Sequence, residues 1–197
     1  MKKGEKAKVV VVCGTPGVGK STVVDHAIEM AKKRGRTVTL ANYGTAMFEL
    51  AKKKRLAENR DEMRRLPIEL QRKLQAQAAK SIRRGSHEGV IIVDTHMLIS
   101  TPLGFLAGIP EWVLDPLKPD TIVLIEADPK RIVRRRLDDE TRERDDEAVA
   151  LIELHQDLCR SAAMCILMHG CTVKIIGNPP GKAEDAAKEL VQVLMLE

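Results

Sequence analysis

Five short apolar runs recur along the chain: VVVVC at 9–13, VTLA at 38–41, VIIV at 90–93, IVLI at 122–125 and VKII at 173–176. Most are continuous and rich in β-branched residues, as strands buried on both faces are. Between them, apolar positions return at helical spacing over about 20–34, 46–57, 68–84, 110–117, 129–138, 146–169 and 182–196. Strands alternating with helices predict an α/β fold, with a parallel sheet covered on both faces and right-handed crossovers. There is no internal repeat and no low-complexity segment.

Two stretches break the simple alternation. About 45 residues separate the second and third strands, with enough pattern for two helices. That exceeds one crossover and predicts a small helical subdomain, over about 43–85. After the fourth strand comes RRRLDDETRERDDE, 134–147, almost wholly charged. It reads either as a solvated helix end or as a mobile, arginine-lined lid.

The first strand runs into Gly14-Thr15-Pro16-Gly17-Val18-Gly19-Lys20-Ser21, which fits G-x-x-x-x-G-K-S/T, the phosphate-binding loop. Backbone N–H groups of the turn surround phosphate oxygens, and the following helix presents its positive end. Lys20 is expected at the β- and γ-phosphates, and the Ser21 hydroxyl on Mg²⁺.

The third strand ends in Asp94. In phosphate-loop proteins an acid there holds Mg²⁺, directly or through water, and the plainer reading is a cap for the next segment. Thr95 stands where motor-type ATPases usually have a glutamate, which favours transfer to a bound acceptor over hydrolysis. The guanine-reading N-K-x-D motif is absent. In NYGTAMFELAKKKRLAENRDEMRRL, 42–66, Gly44-Thr45 follow the second strand at the edge where open sheets bind ligands. Arg60, Arg64 and Arg65 could clamp a second phosphate, or form helix-surface pairs with Asp61. Ile175-Ile176-Gly177-Asn178-Pro179-Pro180-Gly181 should lie beside the phosphate loop, as a base contact or a plain turn.

Composition narrows this further. A length of 197 residues suits one domain with a sizeable core. Phe48, Phe105, Tyr43 and Trp112 are the only aromatic residues, too few for stacking-type recognition of single strands. Net charge is +5, which suits polyanionic nucleotides only where arginines gather at a site. Cys13, Cys159, Cys165 and Cys171 make no C-x-x-C pair and no zinc spacing, so buried free thiols in a reducing compartment are expected. No signal peptide and no run of membrane-spanning length is seen, so a cytoplasmic protein is expected, with no membrane and no nucleic-acid partner. Few Asn and Gln and many charge pairs hint at a thermophile.

In order, GTPGVGKST, NYGTAMFELAK, RDEMRRL, VIIVDTH, TPLGFLAGIPEWVL, the charged TRERD, HQDLCRSAAM and TVKIIGNPPG resemble the archaeal-type adenylate kinases, from about Lys8 to the C-terminus. The resemblance implies γ-phosphoryl transfer from ATP to AMP, giving two ADP, with Mg²⁺. It implies a P-loop NTPase-type three-layer fold with a five-stranded parallel sheet, a monophosphate-binding subdomain, a short lid and a homotrimer. Carried onto matching positions, Gly14, Thr15, Pro16, Gly17, Val18, Gly19, Lys20, Ser21 and Thr22 hold the ATP phosphates. Asp94 joins Ser21 at the metal. Arg136, Arg142 and Arg144 resemble the lid arginines that act with Lys20, while Thr45, Arg60 and Arg64 stand on the AMP side. Bacterial and eukaryotic adenylate kinases follow the third-strand Asp with G-F-P-R, where this chain has Thr95-His96-Met97, and have an arginine near the position of Glu49. The AMP phosphate must therefore find its arginines elsewhere. A kinase acting on UMP, CMP or dTMP, a nucleotide-dependent switch or ATPase, and an RNA-associated role are the alternatives. Helix 146–169 carries Leu151, Leu154, Leu158, Ala162 and Cys165 on one seam, which reads as core rather than interface.

Overall fold

The computed structural model describes residues 7–85, 88–101, 103–137 and 145–196. Five strands, β1 (Lys8–Cys13), β2 (Val38–Asn42), β3 (Val90–Asp94), β6 (Thr121–Glu126) and β7 (Thr172–Gly177), form one parallel sheet in the order β2-β3-β1-β6-β7. Between β3 and β6 lie β4 (Leu98–Thr101) and β5 (Gly104–Ala107), an antiparallel hairpin. All five sheet strands coincide with the apolar runs.

The period of two along each strand sorts the core into halves. Val10, Val12, Val90, Ile92, Val123 and Ile125 face α1 (Lys20–Lys33) and α8 (Ala183–Met195). Val9, Val11, Cys13, Ile91, Val93, Ile122 and Leu124 face the other layer. That layer is built by α4 (Ile68–Arg84), α5 (Glu111–Leu117) and α7 (Asp145–Ile166). Between β6 and α7 lies α6 (Pro129–Leu137), which starts on a proline, suited to a first helical turn. Asp120 ties the sheet's lower edge: its carboxylate accepts from Val9 N at 2.7 Å, its N–H donates to Val9 O at 2.9 Å, and its carbonyl accepts from Thr172 N at 3.0 Å.

The insertion after β2 holds three helices where two were expected: α2 (Tyr43–Lys53), α3 (Arg60–Arg65) and α4. α2 begins three residues earlier than its apolar spacing suggests, because Asn42 caps it, accepting from Thr45 N at 2.9 Å. The extra helix has its own cap: Asn59 accepts from Glu62 N, and Glu62 reaches back to accept from Glu58 N, one residue before the cap. Ala51, Ala57, Met63 and Leu74 form a separate small core here.

The β4–β5 hairpin was not read from the sequence. Its strands have four residues each, and β5 is exposed throughout, so it has no buried run to signal it. The seam on α7 also departs from its reading as core: Leu151 and Leu154 are 63% and 48% exposed, and Cys165 is exposed too. The adjoining face, one residue on and so about 100° round the helix, with Ile152, His155, Cys159, Ala163 and Ile166, is the one the fold buries. The other three cysteines are buried and free, as expected.

Candidate nucleotide site

The parallel sheet aligns the carboxyl ends of β1, β3 and β2. Register pairs Asp94 with Val12 on one side and Asn42 on the other. The loop at 14–22 leaves β1 beside these ends and turns into α1. Gly19 sits at the start of that helix with φ of 84°, the left-handed region glycine adopts without cost. A Cβ there would lie 2.6 Å from the Asn178 side-chain nitrogen and 3.0 Å from Arg135, so the conformation requires glycine and any side chain would displace these two.

Lys20 is ion-paired with Asp94, and its ammonium donates to Thr95 O at 2.7 Å. The other Asp94 oxygen accepts from the Asn42 side chain at 3.0 Å. Asn42 in turn accepts from the Thr45 hydroxyl at 2.9 Å, and Arg60 donates to that hydroxyl at 2.9 Å. Lys20, Asp94, Asn42, Thr45 and Arg60 thus form one continuous polar chain from the phosphate loop to the helical insertion. Arg60 also lies 5.9 Å from the centre of the Phe48 ring.

A cavity of about 670 Å³ opens over the loop, a size that accepts a nucleotide. Besides 14–22 and Asp94, it is lined by His96, Arg135, Asn178 and Ala183. None of these four was read from sequence as a site residue, although Asn178 lies in the loop expected beside the phosphate loop. The buried Asn178 amide donates to Val18 O at 2.7 Å, and Arg135 donates to Gly17 O at 3.0 Å. His96 Nδ1 lies 3.4 Å from Gly14 O. Burial, then the charge of Lys20, lowers the His96 pKa and favours the neutral ring. The signals were present, in a run of arginines at 134–136 and a histidine two residues after Asp94, but nothing in the chain said which member turns inward.

Thr15 is buried, and its hydroxyl has no partner among the described residues. A buried hydroxyl left unpaired is costly, and it marks a place where a ligand oxygen completes the bonding. Ser21 is exposed at the loop's end and Asp94 is partly exposed, so both supply the hard oxygen donors Mg²⁺ prefers. The described residues hold no cluster of three or more His, Cys, Asp or Glu, and Mg²⁺ held by one or two protein oxygens plus phosphates needs none.

Of the remaining expected site residues, Arg64 pairs with Asp61 at 3.0 Å and is 73% exposed, the helix-surface alternative. Arg136 lies in α6. Arg142 and Arg144 lie outside the described residues, with most of the expected lid.

Fold and site together define a phosphate-loop nucleotide-binding protein of the kinase type. The AAA domain family matches residues 13–153. Among solved structures, shikimate kinase from Acinetobacter baumannii, in complex with shikimate, superposes with a TM-score of 0.56 over 98% of this chain and 96% of that one. At 16% identity that likeness concerns the fold alone. Sequence relatives are nearer. Adenylate kinases from Methanoculleus marisnigri and Methanocaldococcus jannaschii are each 48% identical, over 95% and 96% of this chain and 98% and 99% of their own. That of Thermoplasma acidophilum is 46% identical over 95% of this chain and 98% of its own. The chain belongs to the adenylate kinase family.

Proposed function

We propose that this chain transfers the γ-phosphoryl group of ATP to AMP, reversibly and with Mg²⁺, giving two ADP. The polar chain from Lys20 to Arg60 carries this reading. A hydrolase needs the phosphate loop, whereas only a transferase needs a second, basic side joined to it across the sheet edge. In-line transfer requires placement and neutralisation of charge on the phosphoryl oxygens more than covalent help. No general base is needed, since a phosphate acceptor is already anionic at neutral pH.

On this reading the backbone of 14–22 and Lys20 hold the donor phosphates, with Ser21 and Asp94 at the ion. Bound there, Mg²⁺ neutralises charge on the transferred group. Residues 43–85 form the acceptor subdomain, with Arg60, steadied by Thr45, as the phosphate clamp and Arg64 as its neighbour one turn on. Arg135, reaching Gly17 O from α6, joins the arginines Arg136, Arg142 and Arg144 of a lid over 134–147 that excludes water. The protein works in the cytoplasm as a homotrimer. The exposed Leu151 and Leu154 of α7, with Ile99, Leu103 and Leu106 of the hairpin that α7 packs against, support self-association.

Product analysis by ion-exchange chromatography tests the reading. With ATP, Mg²⁺ and AMP, two ADP form per AMP consumed, and little ADP forms without acceptor. Preference for UMP, CMP or dTMP would overturn the acceptor assignment. Free phosphate released without acceptor would make the protein a hydrolase.

A further inference from the structure

The chain's positive charge is unevenly placed. Residues 43–85 hold twelve Lys and Arg against five Asp and Glu, while all other positions hold twenty-one against twenty-three. The helical insertion therefore carries a net +7 and the rest of the chain −2. Arg60 faces the nucleotide side, but a second group of cations does not. On α4, Lys73, Gln77, Lys80 and Arg84 recur at steps of four, three and four residues, which places them on one helix face. All four are exposed, while Leu74, Ala78, Ala79 and Ile82 are the buried side of the same helix. None of the four lines the cavity over the phosphate loop.

This face is not an ordinary set of intrahelical ion pairs. Its one acid, Glu69, is engaged by Arg72 at 3.3 Å. No described residue bonds to the head groups of Lys73, Lys80 or Arg84. The helix dipole favours cations in the last turn, which accounts for Arg83 and Arg84 but not for Lys73 or Lys80. A shallow recess of about 400 Å³ lies beside the last turns, lined by Gln77, Lys80, Ser81, Arg84 and Gly85.

We propose that this face of α4 docks on the phosphodiester backbone of duplex nucleic acid. The three cations span about 16 Å at helical rise, longer than a single nucleotide's phosphates, so the matching ligand is an extended polyanion. The face has no aromatic residue to stack on a base and no apolar residue to enter a bilayer. Contact is therefore to phosphates, without sequence preference. This revises the expectation of no nucleic-acid partner, while the scarcity of aromatics still excludes recognition by stacking.

Fluorescence anisotropy of the full chain with a labelled RNA duplex of about 20 base pairs tests this. Three neutralised phosphates predict an affinity falling about 40-fold between about 50 and 200 mM salt. The combined variant Lys73→Gln, Lys80→Gln, Arg84→Gln should bind at least about 10-fold more weakly, while its rate of AMP phosphorylation stays unchanged and its thermal midpoint falls by no more than about 4 °C, the loss of one favourable cation at the end of α4. Phosphotransfer is read separately, so the proposal fails or survives independently of the proposed reaction. Three results would each overturn it: no binding at the lower salt, undiminished binding by the triple variant, or displacement of the duplex by saturating ATP and AMP. Binding of phosphatidylglycerol vesicles that the triple variant loses, with duplex binding untouched, would assign the face to membranes instead.

Discussion

Lys20 and Arg60 stand at the two ends of one hydrogen-bonded chain, and their replacement should separate donor from acceptor effects. Lys20→Ala removes the cation expected at the transferred phosphoryl group, so turnover should fall at least about 100-fold. Substantial remaining activity would contradict the loop assignment. Arg60→Ala removes a charged donor from the acceptor side, expected to raise the Michaelis constant for AMP about 10- to 100-fold and to leave that for ATP nearly unchanged. Equal rises for both nucleotides would show that Arg60 only supports the fold. Arg64→Ala should raise the same constant by a smaller factor, since its guanidinium must first leave Asp61 at the surface to join the clamp. That Lys20 and Asp94 would meet at the glycine loop was legible from residue type and spacing, because the glycines supply the backbone turn and Asp94 ends a buried strand beside it. His96, Arg135 and Asn178 were not, because their roles depend on which side chain turns toward Gly14, Gly17 and Val18.

At the scale of elements, the joint between strands is testable at Asp120. Its carboxylate is the partner of Val9 N, and Val9 is fully buried. Asp120→Ala leaves that N–H unpaired, which costs about 1–3 kcal/mol. Thermal midpoint should drop by about 2–10 °C, read by calorimetry, with the activity per folded molecule unchanged at low temperature. A midpoint within error of the parent would mean water replaces the carboxylate. The five strands were readable because parallel strands buried on both faces give unbroken apolar runs. The hairpin of β4 and β5 was not, since an exposed four-residue strand carries no periodic signature. Gly108 shows how tightly that hairpin returns: a Cβ there would lie within 2.8 Å of the His96 carbonyl carbon.

At the scale of the molecule, exposed apolar side chains stand on two elements that pack together, α7 and the hairpin. Leu151 and Leu154 on α7 face solvent near a hairpin whose Phe105 ring lies 5.0 Å from the His155 ring. If this face joins copies of the chain in the proposed trimer, Leu151→Glu with Leu154→Glu should leave only monomer in sedimentation velocity. A parent protein that already sediments as a monomer would remove that reading. α7 also explains why its seam was misjudged: a helix apolar on two faces shows one broad stripe in sequence, and only packing decides which face meets the sheet.

Local rules were enough for what is local. Strand runs, helix periods and the phosphate loop follow from side-chain shape, backbone conformation and spacing, all carried within a few residues of each other. From these the layer order and the class of ligand could be argued. Tertiary structure alone decided the rest: the register that sets Asn42 beside Asp94, the reach of Arg60 to Thr45, the inward turn of Arg135, and the apolar face left over on α7. Each of these joins residues far apart in the chain. Their meeting is fixed by which faces the sheet and helices bury together, a property of the packed whole that no window of sequence contains.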